Sequence, residues 1–130
     1  MDVTEEFDAT LSPESRELIA TARRFGERFV APFAKDWEYA RSSPVDALRQ
    51  ACEHALASVE LPRSHGGLGL PFSAKMRMAE ELGRHDLAFT FALMQHHNAL
   101  VRIAEAAPAA DVAELLPRML RGEWIGCTGM

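Results

Sequence analysis

The side chains with most capacity for chemistry stand together at Gln95-His96-His97-Asn98, inside an otherwise apolar run from Leu87 to Leu100. Two imidazoles and two carboxamides in such a run are costly, because a buried polar group left unpaired loses roughly 1–3 kcal/mol. Either this stretch reaches solvent, or its polar groups face partners or a ligand cavity. Adjacent helical positions point about 100° apart, so His96 and His97 cannot share one ligand through helix geometry alone. The sequence predicts one satisfied, partly buried histidine and one exposed.

Other patterns fall short of a chemical site. Carboxylate-bridged metal bundles use Glu-x-x-His on each of two helices; here Glu81 stands four residues before His85, no Glu-x-x-His occurs, and no metal site is expected. The cluster Gly66-Gly67-Leu68-Gly69 lacks the Gly-Lys-Ser/Thr ending of a phosphate loop and the third glycine of a dinucleotide fingerprint, and reads as a tight turn. Cys52 and Cys127 have neither the number nor the spacing of a disulfide framework or a zinc site, and read as buried, inert thiols. No nucleophile, base and orienting group form a set, so no catalytic residue is assigned.

Composition narrows the partners. Net charge is −5, with the arginines spread among glutamates, and nothing in this pattern suggests a nucleic-acid or membrane-surface partner. At 48% hydrophobic and 25% charged, the 130 residues suit one globular domain. The acidic start, Met1 to Thr10, has no charged-then-apolar signal pattern, and no apolar run is long enough to span a bilayer. A reducing, cytoplasmic setting fits.

Helices must position the polar patch, and the sequence marks them. Ser12-Pro13 pairs an N-cap with proline at the first helical position, and Leu18, Ala22, Phe25, Phe29 and Phe33 form one apolar stripe. Pro32 predicts a break at Ala31, with a short continuation through Trp37. Ser43-Pro44 repeats the start signal for a helix burying Val45, Leu48, Cys52, Ala55 and Val59. A Gly/Pro-rich loop spans Glu60–Pro71, and a third helix, Phe72 to Gly83, turns Phe72, Met76, Ala79 and Leu82 inward. Asp86 caps a long central helix from Leu87 to Ala106; Pro108 opens a last one, which Pro117 interrupts and Gly122 ends. Trp124–Met130 has no helical period and looks like the start of a strand. The expected fold is all-α, a five- to six-helix orthogonal or up-down bundle with a central Gly/Pro-rich loop and a strand-like C-terminal end. Residues 1–11 are expected to be disordered, 12–122 to form the helical domain, and 123–130 to begin a truncated β-domain.

Four pieces in order carry a resemblance: Val30-Ala31-Pro32; Leu61-Pro62-Arg63-Ser64-His65-Gly66-Gly67-Leu68-Gly69; Glu80-Glu81-Leu82 with Asp86 behind it; and Leu116-Pro117 leading to Gly122-Glu123. From about Leu11 to Met130 this order resembles the N-terminal domain of the acyl-CoA dehydrogenase family. The resemblance implies a parent with a middle β-domain and a C-terminal helical bundle. It implies FAD between those two domains with its ring near this one, and a catalytic carboxylate in the C-terminal region. Thr128 and Met130 fall on positions that approach the flavin ring in similar proteins. Thr90, Phe91, Met94 and Asn98 match positions lining the acyl channel, where bulky Phe91 and polar Asn98 disfavour long straight chains. The implied activity is α,β-dehydrogenation of an acyl thioester by a homo-oligomeric parent (dimer or tetramer), with this chain alone inactive and binding no FAD. A flavin-dependent monooxygenase on the same fold is a rival reading, as is a free-standing helical interaction module.

Overall fold

The computed structural model describes residues 2–129, and Met130, one of the two flavin-facing positions expected above, lies outside them. Among the described residues the chain is all-helical: α1 (Val3–Thr10), α2 (Pro13–Phe25), a π-helical turn (Gly26–Val30), α3 (Ala34–Ala40), α4 (Val45–Glu53), α5 (Phe72–Gly83), α6 (Leu87–Ala106) and α7 (Ala109–Leu120). A single 3-10 turn, Arg63–His65, interrupts the long loop.

Local chemistry accounts for most boundaries. Ser12 Oγ accepts from the Ser15 N–H at 3.1 Å with Pro13 opening α2, and Asp86 Oδ1 accepts from the Phe89 N–H at 2.6 Å to open α6. Ahead of Pro32 the helix widens, and the Ala31 N–H reaches back to Gly26 O at 2.8 Å. Widening relieves the clash that a proline ring makes with the preceding turn. The break also carries Phe33 off the buried stripe, leaving it 47% exposed.

Other expectations need correcting. Residues Val3–Thr10 are helical where disorder was expected, because Asp2 caps α1 and Asp8 fastens it to α5. α4 stops at Glu53, and Ala55 takes a left-handed conformation, so Val59 reaches the core from the loop rather than from a helix. On α5 the buried stripe is Ala74, Met78 and Leu82, while Phe72 and Met76 face outward. The helix is apolar on two sides, and packing against α2 and α6 selects one. α7 runs through Pro117 without interruption. Pro117 cannot donate to the carbonyl of Ala113, but Ala113 is exposed and water can satisfy that group. Trp124–Gly129 forms no strand, since its polar groups bond to side chains of α6 rather than to a neighbouring strand.

The loop after α4 folds back on itself. Leu68 N–H donates to Ser58 O, Gly69 N–H to Leu61 O and Leu70 N–H to Val59 O, at 2.8–3.0 Å. A β-carbon on Gly67 would lie 2.0 Å from Leu61 O, so only glycine permits this crossing. The glycine cluster is thus a tight turn packed on its own backbone.

α6 is the central element, in contact with α4, α5 and α7, while α2 packs mainly on α5. Phe25, Phe89, Leu93 and Leu100 fill the core between them. Beside it lies an ionic network. Arg77, with its side chain 7% exposed, donates to both carboxylate oxygens of Asp8 at 2.7 and 2.9 Å, to Glu80 at 2.7 Å and to Glu81 at 3.0 Å. Arg23 donates to both carboxylate oxygens of Glu81, at 3.1 Å to Oε1, which Arg77 shares, and at 3.3 Å to Oε2. Burial alone would raise the Glu81 carboxyl, but the hydrogen bonds from Arg23 and Arg77 outweigh it and hold the group at about 2.

Because the folded value lies below the ordinary 4.5, Glu81 stabilises the fold fully above that pH and loses the contribution as pH falls toward about 2. Urea unfolding at a series of acidic pH values should show stability falling in that window, with Glu81→Gln less stable at neutral pH and flatter below it. Arg77→Met should cost about 3 kcal/mol, the low end for breaking a buried ion pair, because Arg23 still reaches Glu81. An unchanged acid slope in Glu81→Gln would remove this network from the account of stability.

Candidate functional site

The polar patch of α6 is where the C-terminal segment meets the helix. His96 and His97 both have no exposed surface, which corrects the expectation that one would face solvent. Each can be buried because each finds two partners. His96 Nδ1 accepts from the Gly126 N–H at 3.0 Å, and its Nε2–H donates to Met119 O at 3.0 Å. His97 Nε2 accepts from the Glu60 N–H at 3.1 Å, and its Nδ1–H points to Asn98 Oδ1 at 3.3 Å. A nitrogen that accepts from a backbone N–H carries no proton, so the two rings are neutral and of opposite tautomer. Burial pushes both imidazoles below their ordinary value, and for His97 the nearby Lys75 adds to this. Lys75 itself is buried against Glu60 in an ion pair and lies over the Phe72 ring.

The segment that follows α7 is guided step by step. Gly122 O accepts from Arg49 Nε at 3.3 Å, and Arg118 lies over the Trp124 ring at 4.7 Å. After Gly126 meets His96, Thr128 Oγ1 donates to Gln95 Oε1 at 2.7 Å. Thr128 is exposed at the edge of the domain, and Cys127 is exposed beside it, not buried as expected; Cys52 is buried, and burial pushes its thiol up to about 11.

The structure divides the expected acyl-channel residues. Thr90, Phe91 and Met94 line an open groove of about 860 Å³ whose far wall comes from α1 and α5, including Thr4, Glu5 and Met76. Thr90 contributes its flank only, since the residue is 4% exposed and its hydroxyl donates to Asp86 O at 2.8 Å. Phe91 is 63% exposed. Asn98 belongs to a second, more polar depression of about 640 Å³, shared with Thr128, Glu60 and Arg102. Gln95, bonded to Thr128, lies between the two along α6. α1, which the sequence reading left without structure, supplies part of the groove; its cap at Asp2 and its arginine partner were the available signals. No group of three or more His, Cys, Asp or Glu side chains among the described residues is placed to hold a metal ion. No helix there is long and apolar enough to cross a membrane.

The central helix is thus bordered on one side by an open groove and crossed by an extended tail, within a domain built entirely of helices among the described residues. Residues 12–123 match the family described as acyl-CoA dehydrogenase, N-terminal domain, and the chain belongs to that family. It is 27% identical over 125 residues to the mitochondrial isovaleryl-CoA dehydrogenase of Pongo abelii, covering 92% of this chain and 29% of that protein. In fold it is similar to a solved structure described as an electron transferring flavoprotein of Acidaminococcus fermentans, with a TM-score of 0.81 at 19% identity, over 96% of this chain and 32% of the other. The chain thus spans less than a third of the length of either relative.

The two neutral imidazoles make the domain sensitive to mild acid. The unfolded chain binds protons near the ordinary value of 6.5, whereas the folded chain resists them. Stability is therefore complete above that pH and falls as pH drops below it. The melting temperature should decrease between about pH 7.5 and 5.5, and a His96→Asn, His97→Gln double variant should be nearly flat over the same range. An equal slope in both proteins would show that these rings titrate as freely folded as unfolded.

Proposed function

We propose that this domain forms one wall of the acyl and flavin pocket of a larger FAD-dependent enzyme that α,β-dehydrogenates an acyl thioester. The observation that carries the reading is the stripe Phe91, Met94, Gln95 and Asn98 on α6, exposed at its two ends and half-buried between, with Thr128 bonded to Gln95. An open-ended row of this kind on the central helix calls for a ligand or another domain.

Phe91 and Met94 would wall the acyl tail, with Thr90 filling in behind them. Asn98, about 10 Å beyond Phe91 along the helix by its rise per residue, would face the polar end near Thr128. Bulky Phe91 favours short or branched acyl groups, in keeping with the isovaleryl group in the name of one relative. FAD would act as electron acceptor, and this chain's part is to present Thr128 and, by the family resemblance, Met130 to the ring. The residues fit that limited part: Thr128 offers an exposed hydroxyl braced by Gln95, with lone pairs free to accept. The base and the phosphate-binding groups would come from the β- and C-terminal domains of the parent. Those domains, or subunit contacts in a dimer or tetramer, would cover the exposed Phe72, Met76 and Leu87. Both cysteines are free, which suits a reducing compartment such as the cytoplasm.

Incubated with excess FAD and desalted, the 130-residue chain should emerge colourless; a stoichiometric yellow protein would contradict the division of labour proposed here. In the full-length parent, Asn98→Leu should shift relative kcat/KM toward less polar acyl thioesters by roughly 10- to 200-fold, the worth of one methylene-sized contact. An identical substrate ranking in both proteins would take Asn98 out of the pocket.

A further inference from the structure

We propose that His96 is a positioning residue: by accepting the Gly126 N–H it fixes where the C-terminal segment crosses α6, and so sets where Thr128 stands. The link to flavin rests on the function proposed above, whereas the clip itself rests on geometry alone.

The geometry is specific at each point of the crossing. His96 has no exposed surface, and both ring nitrogens are committed to backbone groups, the Met119 carbonyl at 3.0 Å and the Gly126 amide at 3.0 Å. One imidazole therefore joins the end of α7 and the tail beyond it to the central helix. An apolar side chain could fill the same volume but would leave that carbonyl and that amide without these partners. Gly126 is the matching half. A β-carbon there would lie 2.6 Å from Met119 Cε and 2.8 Å from Ala99 Cβ, so the tail can approach the ring this closely only as glycine. The next tie along the chain, Thr128 Oγ1 to Gln95 Oε1 at 2.7 Å, falls on the residue preceding His96. With Gly126 held, Thr128 has little freedom of position; with Gly126 released, its own bond is a single exposed contact.

The test uses two amide variants of the 130-residue chain and hydrogen exchange followed residue by residue by NMR. The terminal amide of His96→Gln reaches the place of Nε2 and keeps the bond to Met119 O while removing the acceptor for Gly126. The shorter His96→Asn places its carbonyl oxygen near Nδ1 and restores that acceptor. We expect exchange at Gly126 to quicken roughly tenfold in His96→Gln, the scale of one lost hydrogen bond. The amides of Leu93 and Leu100 should be unchanged, and His96→Asn should stay within about threefold of the parent. Equal Gly126 exchange in the two variants, whether unchanged or equally fast, would overturn the clip. Should His96→Gln fail to fold, Gly126→Ala leaves the imidazole intact and should quicken exchange of the amide at position 126, because the added β-carbon pushes the tail off the ring; exchange there as slow as in the parent would overturn it as well. In the flavin-containing parent, His96→Gln should shift the flavin absorption bands and His96→Asn should restore them. A released Gly126 with unshifted bands would overturn the link to flavin and the role of Thr128, and leave the clip standing.

Discussion

The structure depends on one obligation, that two adjacent imidazoles buried on the central helix must each satisfy both nitrogens without water. A neutral ring needs one donor and one acceptor placed on opposite sides. At His96 these come from the end of α7 and from Gly126, and at His97 from Glu60 and Asn98. Because adjacent positions diverge by about 100°, the two rings fasten different parts of the chain to the same turn of α6. One side secures the loop after α4, and the other secures α7 and the tail. The same turn that is costly to bury thereby specifies the arrangement of everything that passes over it.

A second fastening operates at the other end of the domain. Arg77 bridges α5 to α1 through Asp8 and shares Glu81 with Arg23 of α2. α1 has no buried residue of its own, so its place against the groove follows from this charged contact and its cap rather than from a hydrophobic face. The groove wall that α1 helps to make is consequently polar at its base and apolar along α6. Exposed Met76, Leu87 and Phe91 line it, with exposed Phe72 on the same helix as Met76.

The helices with their own punctuation were legible from the sequence alone. Ser12-Pro13 and Asp86 begin α2 and α6, Pro32 breaks the first long helix, and Gly66–Gly69 makes the turn, because caps, prolines and glycines act within a few residues of themselves. The apolar length of α6 likewise announced a central helix, and the order of motifs announced the family. Faces and partners were not legible. Whether Met76 or Met78 points inward, whether α1 docks or frays, whether both histidines can be buried, and whether Trp124–Gly129 pairs as a strand or binds side chains each depend on residues 15 to 70 positions away. The same holds for the residues that the family resemblance assigns to an acyl channel. They share one helix in sequence, yet the tail bonded to Gln95 separates Asn98 from Phe91 and Met94. Short-range backbone chemistry was determined by the sequence itself, whereas the pairing of buried polar groups was decided only in the tertiary structure, since a donor's partner is chosen by proximity in space and not along the chain.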